Sequence, residues 1–79
     1  MIVLGIESTA HTLGIAIMRD KKVLANVADT YKTEKGGIIP TEAAKHHESV
    51  KEELILRALD NARVKLTDID LIAYSKSPG

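Results

Sequence analysis

Residues 7–12, Glu7-Ser8-Thr9-Ala10-His11-Thr12, place a carboxylate, three hydroxyls and an imidazole between two apolar runs, residues 1–6 and 13–18. A tight link between two strands presents several backbone N–H groups in one concavity, and such concavities bind anions. The Ser and Thr hydroxyls can donate to phosphate oxygens, and so can the His11 imidazole. Glu7 would repel a phosphate directly. The role open to it is to hold, through water, a divalent cation that bridges to phosphate. The same hydroxyls have a local use, because Ser and Thr also cap their own turns. With no Gly-x-Gly and no Lys, the stretch is neither a P-loop nor a Rossmann fingerprint.

The other chemistry-bearing residues are fewer. His11, His46 and His47 are the three histidines. Metal ligation from one helix needs residues three or four apart, since adjacent side chains diverge. His46 and His47 therefore do not chelate as a pair. The expectation is that one faces inward and hydrogen-bonds while the other faces solvent, with a helix-entry role. The absence of cysteine removes disulfides and thiolate metal sites. No His-Glu-x-x-His motif and no Ser-His-Asp constellation occurs. No catalytic residue and no metal ligand is singled out.

Composition narrows the function classes further. The chain has 79 residues, with 11 basic and 11 acidic side chains. That length is at most one small domain with a marginal core. A balanced charge argues against nucleic-acid binding through bulk positive potential. Tyr31 and Tyr74 are the only aromatics, which disfavours a base-stacking platform. The apolar start is too short for a signal peptide or a membrane span. The reading is a cytoplasmic protein with no membrane contact.

The elements that position the polar stretch follow from periodicity. Residues 1–6 and 13–18 read as strands buried on both faces, joined as antiparallel neighbours. The charged break Arg19-Asp20-Lys21-Lys22 leads into an alternating third strand over residues 23–31. Val23, Ala25 and Val27 lie on one face of it, Asn26 and Thr30 on the other. Residues 32–39 read as a loop in which Gly36-Gly37 marks a place needing unusual backbone angles or close approach. Pro40 suits a first helical turn. Residues 41 to 64 lack Gly and Pro and form one helix, or two broken near His46-His47. A turn over 66–70 precedes a fourth strand at 71–74, parallel to the first through a crossover, and the chain closes on Ser75-Lys76-Ser77-Pro78-Gly79. A sheet with one helical layer leaves its other face bare. The chain is therefore expected to be the front part of a larger protein.

Ala43, His47, Val50, Leu54, Ile55, Ala58, Leu59 and Ala62 sweep roughly half the helix, wider than the ~100° stripe of an ordinary surface helix. Leu56 lies outside this arc. Lys45, Glu52, Glu53, Arg57 and Asp60 hold the rest. Two readings stay open: packing on the sheet plus a neighbouring segment, or docking of another protein by part of the arc.

Three segments, "GIESTAHTLGIAI", "GGIIPTEAAKHH" and "IDLIAYSKSPG", resemble in order and spacing the start of the TsaD family. Its members were once labelled O-sialoglycoprotein endopeptidases. Ala-His-Thr after the first strand is similar to the archaeal and eukaryotic branch, the catalytic subunit of the KEOPS complex. The resemblance implies an α/β fold, part of an actin/hexokinase/Hsp70-like (ribonuclease H-like) lobe. That lobe opens with a three-stranded antiparallel meander, a helical insertion over about 36–66 and a parallel fourth strand. Residues 1–79 would be the N-terminal part of the first ATPase-like lobe, with the remainder absent. It also implies that Glu7, Ser8, Thr9, Ala10, His11 and Thr12 form the first phosphate-binding segment.

The implied activity is transfer of a threonylcarbamoyl group from its adenylate to N6 of adenosine 37 in tRNA. Full-length members use iron or zinc together with ATP or threonylcarbamoyl adenylate. Their metal is held by a His-x-x-x-His pair and an Asp further along, which this chain lacks, so alone it is not expected to be active. The implied partners are the small dimerising KEOPS subunit, bound by the long helix through Val50, Leu54, Ile55, Ala58, Leu59 and Ala62, and, for the full-length protein, the kinase subunit and tRNA. The competing readings are a protein-interaction module only, a TsaB-like lobe, or a sugar- or acetate-kinase-like lobe.

Overall fold

Apolar alternation and short links bring the first three strands together in chain order. β1 (Ile2–Ser8), β2 (Thr12–Arg19) and β3 (Lys22–Thr30) form an antiparallel meander. α1 (Pro40–Ala62) follows, then a 3-10 turn (Leu66–Asp68) and β4 (Leu71–Lys76). β4 pairs parallel to β1, giving one mixed sheet of order β3-β2-β1-β4. The computed structural model of the chain describes residues 1–31 and 40–76, with 40–44 described by backbone alone. The expected loop at 32–39, with Gly36-Gly37, and the closing Ser77-Pro78-Gly79 lie outside the described residues.

One sheet face carries the core. Ile2, Leu4, Leu13, Ile15, Ile17 and Ala25 are buried there with Leu54, Ala58 and Leu59 of α1. Residues one step out of phase, such as Val3, Gly5, Gly14 and Ala16, are only half-buried. The expectation that β1 and β2 are buried on both faces is corrected: one helical layer covers one face, and the strict alternation of a strand leaves the other residues on the uncovered side. α1 lies over β2 and β3. All of β4 is exposed, with Tyr74 at 61%.

The third strand departs from simple alternation. Its register passes from Ile17↔Ala25 to Met18↔Val23, so Leu24 is an extra residue in the ladder. A bulge reverses the facing of what precedes it. Val23, expected beside Ala25 and Val27, is 55% exposed instead, and Leu24 packs against the core.

α1 is one continuous helix through His46-His47, which settles the choice between one helix and two. It ends without a glycine. The Arg63 N–H donates to the Asp60 carbonyl at 3.1 Å and the Val64 N–H to the Leu59 carbonyl at 3.1 Å. These are the two bonds of a Schellman motif, with Arg63 at φ 58° in the position that favours glycine. Arg63→Gly is accordingly expected to raise stability by about 1 kcal/mol, read as a higher midpoint in chemical denaturation.

Asp70 fastens β4 to β1. The Ile2 N–H donates to Asp70 Oδ2 at 2.7 Å, and the Asp70 N–H donates to the Ile2 carbonyl at 2.8 Å. This pair of bonds sets the parallel register Val3↔Leu71 through Ser8↔Lys76. The carboxyl ends of β1 and β4 thereby lie side by side.

Candidate functional site at the carboxyl ends of β1 and β4

Thr9, Ala10 and His11 make the link from β1 to β2. The Thr9 N–H donates to the Thr12 carbonyl at 2.9 Å, and the Thr12 N–H donates to Thr9 Oγ1 at 3.0 Å. Thr9 Oγ1 also lies 3.3 Å from the Thr12 carbonyl. For Thr9, then, the local capping use holds, and its hydroxyl is committed to the turn. At the far end of the link the His11 carbonyl accepts the Tyr31 N–H at 2.7 Å.

What the turn leaves open is distinct from what it closes. Among the described residues, the N–H groups of Ala10 and His11 meet no acceptor. Nor do the Ser8 and Thr12 hydroxyls or the His11 imidazole make a side-chain hydrogen bond there. Two adjacent N–H groups without an acceptor among the described residues, with hydroxyls before and after them in sequence, are donors of the kind an anion can use. Their placement is also favourable, because ligands of sheets with parallel strands bind outside the carboxyl ends of those strands.

Neighbouring positions come from pairing. Glu7 stands beside Ser75, and Ser8 beside Lys76. Glu7 is exposed and joins no ion pair among the described residues. Lys76 escaped the sequence reading, since only the parallel register of β4 brings a cation level with Ser8. An open trough of about 350 Å³ adjoins this end of the sheet, lined in part by Gly5, Glu7, Gly14, Ala16, Ala73 and Ser75. A Cβ added at Gly5 or Gly14 would meet only ordinary contacts at 3.9 Å, so the chain's own packing does not demand glycine there.

The two helical histidines reach different elements. His47 is buried, 6% exposed, and its Nε2–H donates to the Thr9 carbonyl at 3.0 Å. The expectation that one of the two faces solvent is not met, because His46 is half-buried. Its Nε2 lies 2.6 Å from Asp29 Oδ2 on β3, and its ring lies 5.3 Å from that of Tyr31. The cause is the tilt of the arc: with His47 turned to the β1–β2 link, the adjacent position falls over β3. Among the described residues no three His, Cys, Asp or Glu side chains come together as a metal site.

The expected docking residues divide. Leu54, Ala58 and Leu59 are buried against the chain's own sheet, while Val50, Ile55 and Ala62 are half-buried at its margin. Leu56 is 60% exposed, on a face shared with Glu52, Glu53, Arg57 and Asp60. Arg57 and Glu53 pair at 3.4 Å on that exposed face, a contact of small energetic weight. No helix among the described residues is long and apolar enough to cross a membrane.

Comparison with known proteins converges on one family. Residues 22–79 match the family model described as TsaD, tRNA N6-adenosine threonylcarbamoyltransferase. A tRNA N6-adenosine threonylcarbamoyltransferase of Thermococcus kodakarensis is 60% identical over the whole chain, and one of Thermococcus gammatolerans is 58% identical. A relative from Thermoplasma volcanium, described as a probable bifunctional tRNA threonylcarbamoyladenosine biosynthesis protein, is 48% identical over 79 residues. The chain spans 24% of the length of each Thermococcus relative and 15% of the Thermoplasma one.

Proposed function

This chain belongs to the TsaD family, and from that membership we propose that it is the N-terminal part of a tRNA N6-adenosine threonylcarbamoyltransferase. In the complete protein it opens an actin-like lobe and supplies the first phosphate-binding turn. The observation that carries the reading is the pair of free N–H groups, Ala10 and His11, at the carboxyl ends of β1 and β4. They sit in a chain 60% identical over its full length to a threonylcarbamoyltransferase. Ala10 and His11 donate their N–H groups to a phosphate of ATP or of threonylcarbamoyl adenylate. The Ser8 and Thr12 hydroxyls add donors. Thr9 closes the turn and does not touch the ligand through its hydroxyl. Glu7 holds, through water, the divalent cation that accompanies the phosphate, and Lys76 adds positive potential from β4.

The function is tested on the full-length protein. Threonylcarbamoyl adenylate and an unmodified tRNA are supplied, and threonylcarbamoyladenosine is measured in the digested product. Product at adenosine 37 is expected. A full-length protein that consumes the adenylate by hydrolysis alone, with any tRNA, would defeat the reading. In this account the protein acts in the cytoplasm, and iron or zinc binds through residues beyond position 79.

The helix serves a second role in the same account, as a docking surface for the small dimerising subunit of a KEOPS-type complex. Of the arc, Val50, Ile55 and Ala62 at the margin supply the contact together with Leu56; Leu54, Ala58 and Leu59 support it from the core. The support is an exposed Leu56 on an otherwise charged face. Ile55→Asp in the full-length protein is expected to weaken pull-down of that subunit by about tenfold or more, the loss of one apolar anchor at an interface. Undiminished association by a folded variant would refute this role and leave the phosphate turn unaffected.

A further inference from the structure

The link between β1 and β2 is closed from within by Thr9 and Thr12, and one side chain enters it from elsewhere in the chain. His47, about two turns into α1, places Nε2 3.0 Å from the Thr9 carbonyl. A carbonyl oxygen only accepts, so Nε2 carries the proton. The other ring nitrogen, Nδ1, is buried and has no hydrogen-bond partner among the described residues. Among the described residues the bond to Thr9 is therefore the single hydrogen bond of the ring, and the residue is 6% exposed. A buried imidazole held by one bond is costly unless that bond matters. Leu or Met would fill the same space without an orphaned nitrogen.

The consequence follows from peptide geometry. The chain has no cis peptide bond among the described residues. In a trans peptide the C=O and the following N–H point in opposite directions within one plane. Holding the Thr9 carbonyl toward α1 thus turns the Ala10 N–H away from the helix. That N–H is one of the two free donors of the turn.

We propose that His47 is a positioning residue for the phosphate-binding turn, setting the Thr9–Ala10 peptide plane so that the Ala10 N–H faces the anion. The inference rests on the reading of the turn as a phosphate site. It goes beyond that reading in assigning the orientation of the donor to a side chain on the helix, 38 residues away in sequence. It also makes α1 a mechanical support of the nucleotide site, since a shift of the helix moves the Thr9 carbonyl.

The test is calorimetric titration of the full-length protein with ATP, for wild type, His47→Leu and His47→Gln, with tRNA binding and thermal melting measured alongside. Gln can present an amide N–H near the place of Nε2; Leu fills the space without a donor. His47→Leu is expected to weaken ATP by about tenfold, the factor that corresponds to one ordinary hydrogen bond. His47→Gln should restore most of that loss, and tRNA affinity should not change. A folded His47→Leu that binds ATP as tightly as wild type overturns the proposal while leaving the phosphate reading intact. A wild type that binds no ATP overturns both. Should His47→Leu not fold, His47→Asn, whose amide stops short of Thr9, is compared with His47→Gln. Weaker binding by Asn supports the proposal, and equal binding by the two overturns it.

Discussion

Leu54→Asp is expected to unfold the first lobe of the full-length protein, not merely to release a partner. Leu54 is buried between α1 and the sheet, in one cluster with Ile15, Ile17, Ala58 and Leu59. An aspartate there loses the packing of a large side chain and buries a carboxylate that nothing in the cluster can pair. Buried unpaired charge and core loss together cost more than about 4 kcal/mol, a large share of the stability of any small lobe. The variant should appear in the insoluble fraction or melt many degrees below wild type. Leu56→Asp, two residues on but exposed, is the matched control and should shift stability by no more than about 0.5 kcal/mol. If Leu54→Asp melted with wild type, the packing of α1 on β2 and β3 would be refuted.

The second large effect falls on the site. Glu7→Ala in the full-length protein is expected to lower threonylcarbamoyl transfer about a hundredfold, the scale of removing one preorganised electrostatic group. Glu7 is exposed and makes no ion pair among the described residues, so its removal leaves the fold alone. The melting temperature should therefore stay within the error of wild type. Raising the divalent cation concentration should recover part of the rate if the carboxylate acts by holding that cation. Full activity in Glu7→Ala would remove the cation role from Glu7. Thr9 offers a contrast: because its hydroxyl is committed to Thr12, Thr9→Val should cost stability of the turn first, and rate only through it.

The meander, the helix and the parallel fourth strand were legible because each rests on local signals. Apolar runs at 1–6 and 13–18, a charged break at 19–22 and a stretch free of Gly and Pro after Pro40 need no knowledge of distant contacts. The bulge at Leu24 was not legible, since nothing in Lys22-Val23-Leu24-Ala25 distinguishes an extra residue from an ordinary alternation until β2 is beside it. The two-sided burial expected of β1 failed for a related reason. A continuous apolar run does not say which of its faces this stretch of chain covers. In the candidate site, the five polar residues among 7–12 were singled out by type alone, but their division of labour was not legible. Whether Thr9 caps or donates depends on the position of Thr12 in three dimensions, and the reach of His47 to Thr9 joins residues 38 apart in sequence. Lys76 entered only through the register that Asp70 enforces. The arc on α1 was read as wider than one stripe, and periodicity could not assign its halves, because Leu54 and Ile55 are equally apolar and differ only in which side of the helix meets the sheet.

Where a nucleotide phosphate lies decides most directly whether the link between β1 and β2 binds it. A crystal structure of the full-length protein with a non-hydrolysable ATP analogue locates it. The expected result is a phosphate oxygen at about 2.7–3.2 Å from the backbone nitrogen of Ala10 or His11, an ordinary hydrogen-bond distance. A nucleotide bound with its phosphates elsewhere, and those two N–H groups turned to protein acceptors from the rest of the chain, would contradict it.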